Sequence, residues 1–158
     1  MSKKPEARRA EPKRVAGLAI RTTNAAESTP QRKIAPLWNR FRSEGWFDRL
    51  EQLGAFGPPI GVYSNYESDA SGSYELLAGR EIREPQSVTE PLRVVSVPRG
   101  SYLVFTSSGS LPQAVIDGWR EILAFFERAD APRRAYTADF EIYPDSESVE
   151  IWVAVKNG

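Results

Sequence analysis

Apolar positions along this chain fall into short alternating runs that flank two stretches of helical repeat. The first run, RVAGLAIRTTN over residues 14–24, is apolar and β-compatible and predicts a strand. Behind it, Ser28 or Thr29 ahead of Pro30 reads as a helix start. Ile34, Leu37, Trp38 and Phe41 then recur at the spacing of one helical face, with Asn39, Arg40, Arg42 and Ser43 on the polar side. Pro36 sets the point where that helix begins or kinks. Residues 43–59, SEGWFDRLEQLGAFGPP, carry turn residues at both ends and are expected to be loop. IGVYSNYES (60–68) and SYELLAGREI (73–82), joined by DASG, have the pattern of a hairpin.

REPQSVTEP (83–91) holds two prolines and no apolar period, so it reads as a connector, after which the pattern starts again. LRVVSVPRGSYLVFTSS (92–108) predicts a strand pair or one long bent strand. Within residues 109–130, Val115, Trp119, Ile122 and Phe126 form a helical stripe, with Ser110 as the expected N-cap, Pro112 in the first turn and Pro132 beyond the end. RAYTADFEIYPD (134–145) and SVEIWVAVK (148–156) complete a second hairpin.

Both halves therefore read strand, helix, strand, strand, and IGVY lies over FEIY while SYELL lies over SVEIW. Tyr63 matches Tyr143, and Glu75 matches Glu150. The expected fold class is α+β: two βαββ units with pseudo-twofold symmetry, their two helices packed on one face of a mainly antiparallel sheet. A unit this small cannot bury a helix and a sheet by itself, so the halves, about 15–82 and 92–158, should form one domain with a hollow between the helices.

Composition narrows the chemistry. The 158 residues include no cysteine and no histidine, which excludes disulfides, Cys/His zinc sites, Cys nucleophiles and Ser-His-Asp relays. Positive and negative charges balance at 21 each, but residues 1–14 hold six basic residues against two acidic ones, leaving the remainder acidic. That arm is expected to be disordered, and an acidic body does not suit duplex nucleic acid. No apolar run is long enough to cross a bilayer, so a soluble, cytoplasmic protein is expected, without a membrane partner. The clusters ASGS and SSGS lack phosphate-loop spacing, and no cofactor is expected. Asp139, Glu141 and Asp145 are expected to point to different faces and to hold no metal.

GLAIRTTN, IAPLWNRF, GVYSNYES, YELLAG, VPRGSYLVFTSSG, GWREI and AYTADFEIY with VEIWVAVK, in this order from about Val15 to Lys156, resemble the GyrI-like effector-binding family, most closely its stand-alone members. The resemblance implies a duplicated βαββ fold with a central pocket that takes lipophilic, often cationic, compounds around a buried glutamate and several aromatic rings. The glutamate position falls on Glu141, and the ring positions fall on Trp38, Tyr63, Trp119 and Tyr143. No helix-turn-helix precedes Val15, so direct DNA binding is not expected, and a separate regulatory protein would have to read the bound state.

By strand alternation Glu141 shares a face with Tyr143, while Phe140 and Ile142 share the other. The plain expectation buries Phe140 and Ile142 and leaves Glu141 in water. The duplication brings Tyr63 and Tyr143 to the symmetry axis, and the family glutamate falls on this position, so Glu141 is placed in the pocket, where a cationic ligand would be its partner. Trp38 and Trp119 occupy corresponding points of the two helices; Phe105 and Trp152 complete the proposed ligand-binding set, with Tyr102 and Tyr66 as further ring candidates. Glu75 and Glu150 read as surface acids. Two other functions stay open: a hydrolase of electrophilic small molecules with Glu141 as general base and Tyr63 or Tyr143 as donor, and a protein-binding inhibitor of topoisomerase type.

Overall fold

The computed structural model describes residues 4–83 and 88–156. In chain order the elements are β1 (Glu6–Ala10), β2 (Lys13–Thr23), α1 (Asn24–Glu27), α2 (Ile34–Ser43), α3 (Trp46–Glu51), β3 (Ala55–Ser64), β4 (Ser73–Ile82), β5 (Arg93–Val97), β6 (Gly100–Ser108), α4 (Gln113–Phe126), β7 (Ala138–Asp145) and β8 (Ser148–Val155). The strands make one antiparallel sheet in the order β1-β6-β8-β7-β3-β4-β2-β5.

At its centre β3 pairs with β7, Val62 opposite Phe140. Outward from that seam run β4 then β2 on one side and β8 then β6 on the other, the same connectivity twice, as the duplication predicts. The outer strands close the curl. Ala10 faces Gly100 and Lys13 faces Val97, so the ladder of β1 on β6 continues into that of β2 on β5 without a change of register. Residues 92–108 are thus a bent strand pair whose two parts do not pair with each other. Strands β2 and β4 approach closely where Gly17 faces Gly79, since a Cβ on either would stand within 2.1 Å of backbone oxygen across the ladder.

Each face of the sheet is buried, for a different reason. One closes on itself around Val15, Val62, Leu77, Val97, Tyr102 and Phe140. The other lies under helices: Leu37 and Phe41 of α2 and Trp46 and Leu50 of α3 pack on Leu18, Leu76 and Ala78, while Ile122 of α4 meets Phe105, Val149, Ile151 and Val153. Full burial of each such side chain stabilises by roughly 1.5–3 kcal/mol. Of the predicted stripes, Leu37, Phe41 and Ile122 are buried and Ile34, Trp38, Val115, Trp119 and Phe126 are half-buried against the core, while Ala114 and Gly118 complete the buried face of α4.

Several local expectations are corrected. Residues 6–10 of the supposed disordered arm are strand β1, held by β6, and Lys13 and Arg14 belong to β2; residues 1–3 lie outside the described residues, as do 84–87 of the connector. Ser28 and Thr29 end a helix instead of starting one: α1 is capped by the Thr23 side chain, which accepts from the Ala26 N–H, and Ser28 is its C-cap. For α4 the N-cap is Pro112, and Ser110 contributes only its carbonyl, which accepts from the Ala114 N–H at 3.0 Å. The segment 43–59 contains α3 and the first half of β3, whose ladder is interrupted between Phe56 and Ile60. Buried Arg80 joins these parts by donating to the carbonyls of Phe47 and Gly57, both at 2.9 Å, and to Glu51 at 3.1 Å. Glu75 is buried as well, paired with Arg93 at 2.8 Å and accepting from Asn65 at 3.3 Å.

Candidate functional site

The residue that the duplication lays over Glu141 is Gly61, and the register sets these two directly opposite each other. The pseudo-twofold axis therefore passes between them, and their side-chain positions compete for the same space. A Cβ on Gly61 would stand 3.2 Å from Glu141 Oε1 and 3.1 Å from the Trp38 ring. One position carries the carboxylate, and the other carries hydrogen.

Glu141 is fully buried, with 0% exposure. The Tyr143 hydroxyl donates to its Oε1 at 2.6 Å; the Tyr63 hydroxyl, at 2.7 Å, and the Trp119 ring N–H, at 2.5 Å, donate to its Oε2. Among the described residues no cation is paired with it. Burial raises its pKa above the ordinary carboxylate value of 4.5, against the opposing pull of the three donors. Burial, and then the neighbouring acid, push the hydroxyls of Tyr63 and Tyr143 well above 10.0, so both remain neutral donors.

The rings close over the carboxylate. Trp38 of α2 meets Tyr143 edge-on at 5.2 Å, and Trp119 of α4 meets Tyr63 edge-on at 5.2 Å, each contact joining one half to the other. Both indoles are half-buried, and the Trp38 ring N–H has no hydrogen-bond partner among the described residues. Ile116 and Leu123, one turn to either side of Trp119, are exposed at 47% and 38%. The arrangement is a buried acid beneath two half-buried indoles, with the exposed apolar Ile116 and Leu123 beside it. Chemically, the carboxylate is an acceptor of hydrogen bonds and a group that burial biases towards taking up a proton.

Five of the seven ring-and-acid positions drawn from the sequence meet here: Glu141, Tyr63, Tyr143, Trp38 and Trp119. Two do not. Trp152 lies opposite Phe140 and stacks on it at 5.2 Å, on the face that closes on itself. Phe105 is on the helical face but two strands away from β7, packed on Phe125 and Phe126. Tyr102 sits with Phe140, its hydroxyl pushed by burial up to about 12. Tyr74, absent from the sequence-derived set, stands 5.6 Å from Tyr63 and donates to Asn24 at 2.9 Å; its alternation with Leu76 was the available signal.

Asp139 needs a different account from the expected one. It shares strand parity with Glu141, and it too is fully buried. Its Oδ2 accepts from Arg134 at 2.7 Å and from the Tyr66 hydroxyl, while its Oδ1 accepts from the Ala154 N–H at 2.8 Å. The acids stay apart because each has its own donors, whereas divergence of faces does not separate them. Among the described residues no three acidic groups converge. Nothing in the sequence marked Arg134 as the cation for Asp139.

A helix pair and seam of this kind occur in known proteins. A pattern described as Cass2, integron-associated effector binding protein, matches residues 9–155. The chain belongs to the Cass2 family. Its likeness to an integron cassette protein from the mobile metagenome of Vibrio cholerae reaches 34% identity, with a TM-score of 0.82 over 98% of this chain and 97% of that one. YobU of Bacillus subtilis, whose name describes it as a candidate transcriptional regulator protein, is 34% identical over 151 residues, 91% of this chain and 92% of its own length. The structure of SAV2435 bound to tetraphenylphosphonium shares the fold, with a TM-score of 0.75 at 19% identity, over 98% of this chain and 95% of that one. The Cass2 assignment places this protein among effector-binding proteins, a coarser statement than the GyrI-like resemblance. Among the described residues no helix is long and apolar enough to cross a membrane.

Proposed function

We propose that this protein is a receptor for an amphipathic, cationic aromatic molecule, which it holds over Glu141 between Trp38 and Trp119. The observation that carries the reading is a carboxylate at 0% exposure with neutral donors only. A charge buried without an opposite charge is costly, and a cationic ligand would supply the missing partner. Cation–π attraction to the four rings would add roughly 0.5–2 kcal/mol. The likeness in fold to SAV2435, solved with tetraphenylphosphonium, supports this reading. The bound state would be read by a separate regulatory protein, in keeping with the regulator name of YobU.

Calorimetric titration with tetraphenylphosphonium, and with neutral triphenylphosphine oxide, tests the claim. Glu141→Gln should weaken the cation by about 2–5 kcal/mol and the neutral compound far less. Equal losses for both would remove the charge from the mechanism. The hydrolase reading retains one supporting observation: Tyr63 and Tyr143 lie within hydrogen-bond reach of an acid whose pKa is raised towards that of a general base. Conversion of an epoxide probe by the wild type, lost in Glu141→Gln, would favour hydrolysis over binding.

A further inference from the structure

Away from the axis, two hollows of about 470 and 380 Å³ adjoin at the C-terminal end of α4. They share Phe126, Arg134 and Tyr136, so together they form one bent groove. The larger hollow is lined by Arg128, Arg133, Arg134 and Lys156, with Asp69 as the acid on its wall among the described residues. The smaller one runs past Leu123 and Ala70, with Glu127 as its acid. Of the four cations, Arg128 is paired with Asp130 at 2.9 Å and Arg134 with Asp139 at 2.7 Å. Arg133 and Lys156 are exposed and pair with no acid among the described residues.

Arg134 is the fixed point of the groove. It is 9% exposed, its guanidinium lies 4.5 Å from the Tyr136 ring centre, and its buried Nε has no hydrogen-bond partner among the described residues. A guanidinium with one edge on a carboxylate and a spare N–H can still donate to a second anion. Tyr136 has φ of 54°, a left-handed conformation that a bulky residue adopts only under constraint, and it is held there beside Arg134 and against Tyr66.

We propose that this groove is a second ligand site, selective for small aromatic carboxylates: the anion would lie among Arg133, Arg134 and Lys156, and the ring between Phe126 and Tyr136. Its preferred charge is opposite to that proposed at Glu141, and although Leu123 and the Arg134–Trp119 contact at 5.7 Å link the two places, none of the groove's lining residues donates to Glu141.

Calorimetric titration of the full chain with 2-naphthoate and with its neutral counterpart 2-naphthamide tests the site. The expected result is saturable one-to-one binding of naphthoate, at least roughly tenfold tighter than naphthamide. Arg133→Gln combined with Lys156→Gln should bring naphthoate to the naphthamide level while leaving the unfolding midpoint in place, because both side chains are exposed. Glu141→Gln should leave naphthoate binding intact. Equal binding of the two compounds, no binding of naphthoate, undiminished binding in the double variant, or loss of binding in Glu141→Gln would each overturn the proposal.

Discussion

Glu141 carries a prediction that needs no ligand. Its pKa is raised in the folded chain, mainly by burial, so the folded state favours the protonated acid more than the unfolded chain does. The stability this contributes is fully present below the ordinary value of 4.5 and is lost as pH rises through the raised value. Urea unfolding from about pH 4 to about pH 8 should therefore show wild-type stability falling relative to Glu141→Gln, then levelling off. A flat difference would mean that the donors fully offset the burial. The burial of this residue was legible only through the duplication and the family resemblance, because alternation along β7 alone leaves either face free to be the wet one. Trp152 and Phe105 were misplaced for a related reason: the face and distance of a ring depend on strand order and register, which one strand does not record.

Elements whose state is set by their own residues were legible, and those set by neighbours were not. The stripes of α2 and α4 have enough turns to declare a period, and both hairpins declare themselves by alternation. Strand β1, EARRA, has only Ala10 buried, and its extended form is imposed by pairing with β6. Helix α3 has six residues, too short to nucleate on its own, and relies on Trp46 and Leu50 in the core and on Arg80 beneath it. Arg80→Met would leave the carbonyls of Phe47 and Gly57 without their buried donor. The expected loss is about 2 kcal/mol of stability, together with faster amide exchange in α3 than in α2. Equal exchange in both helices would show that α3 does not depend on that side chain.

At the scale of the whole molecule the pseudo-twofold seam makes the two halves interchangeable at one point. Moving the acid across the axis, by Gly61→Glu together with Glu141→Gly, should return part of the tetraphenylphosphonium affinity that Glu141→Gly alone removes. The same rings from the two halves would still surround the acid. Titration of the single and double variants decides it, and a double variant no better than the single one would show that the surroundings are not equivalent. The Cass2 family match and the duplicated topology agree on the frame in which this exchange makes sense.

The Gly61–Glu141 pair also bears on valence. Had both repeats kept an acid, two carboxylates would crowd one dry space, and mutual repulsion would leave them sharing a proton or seeking a dication. With hydrogen on one side, a single carboxylate, that of Glu141, stands at the axis. A guest bearing one formal positive charge neutralises it, and a second charge on the guest would be buried without a counterpart.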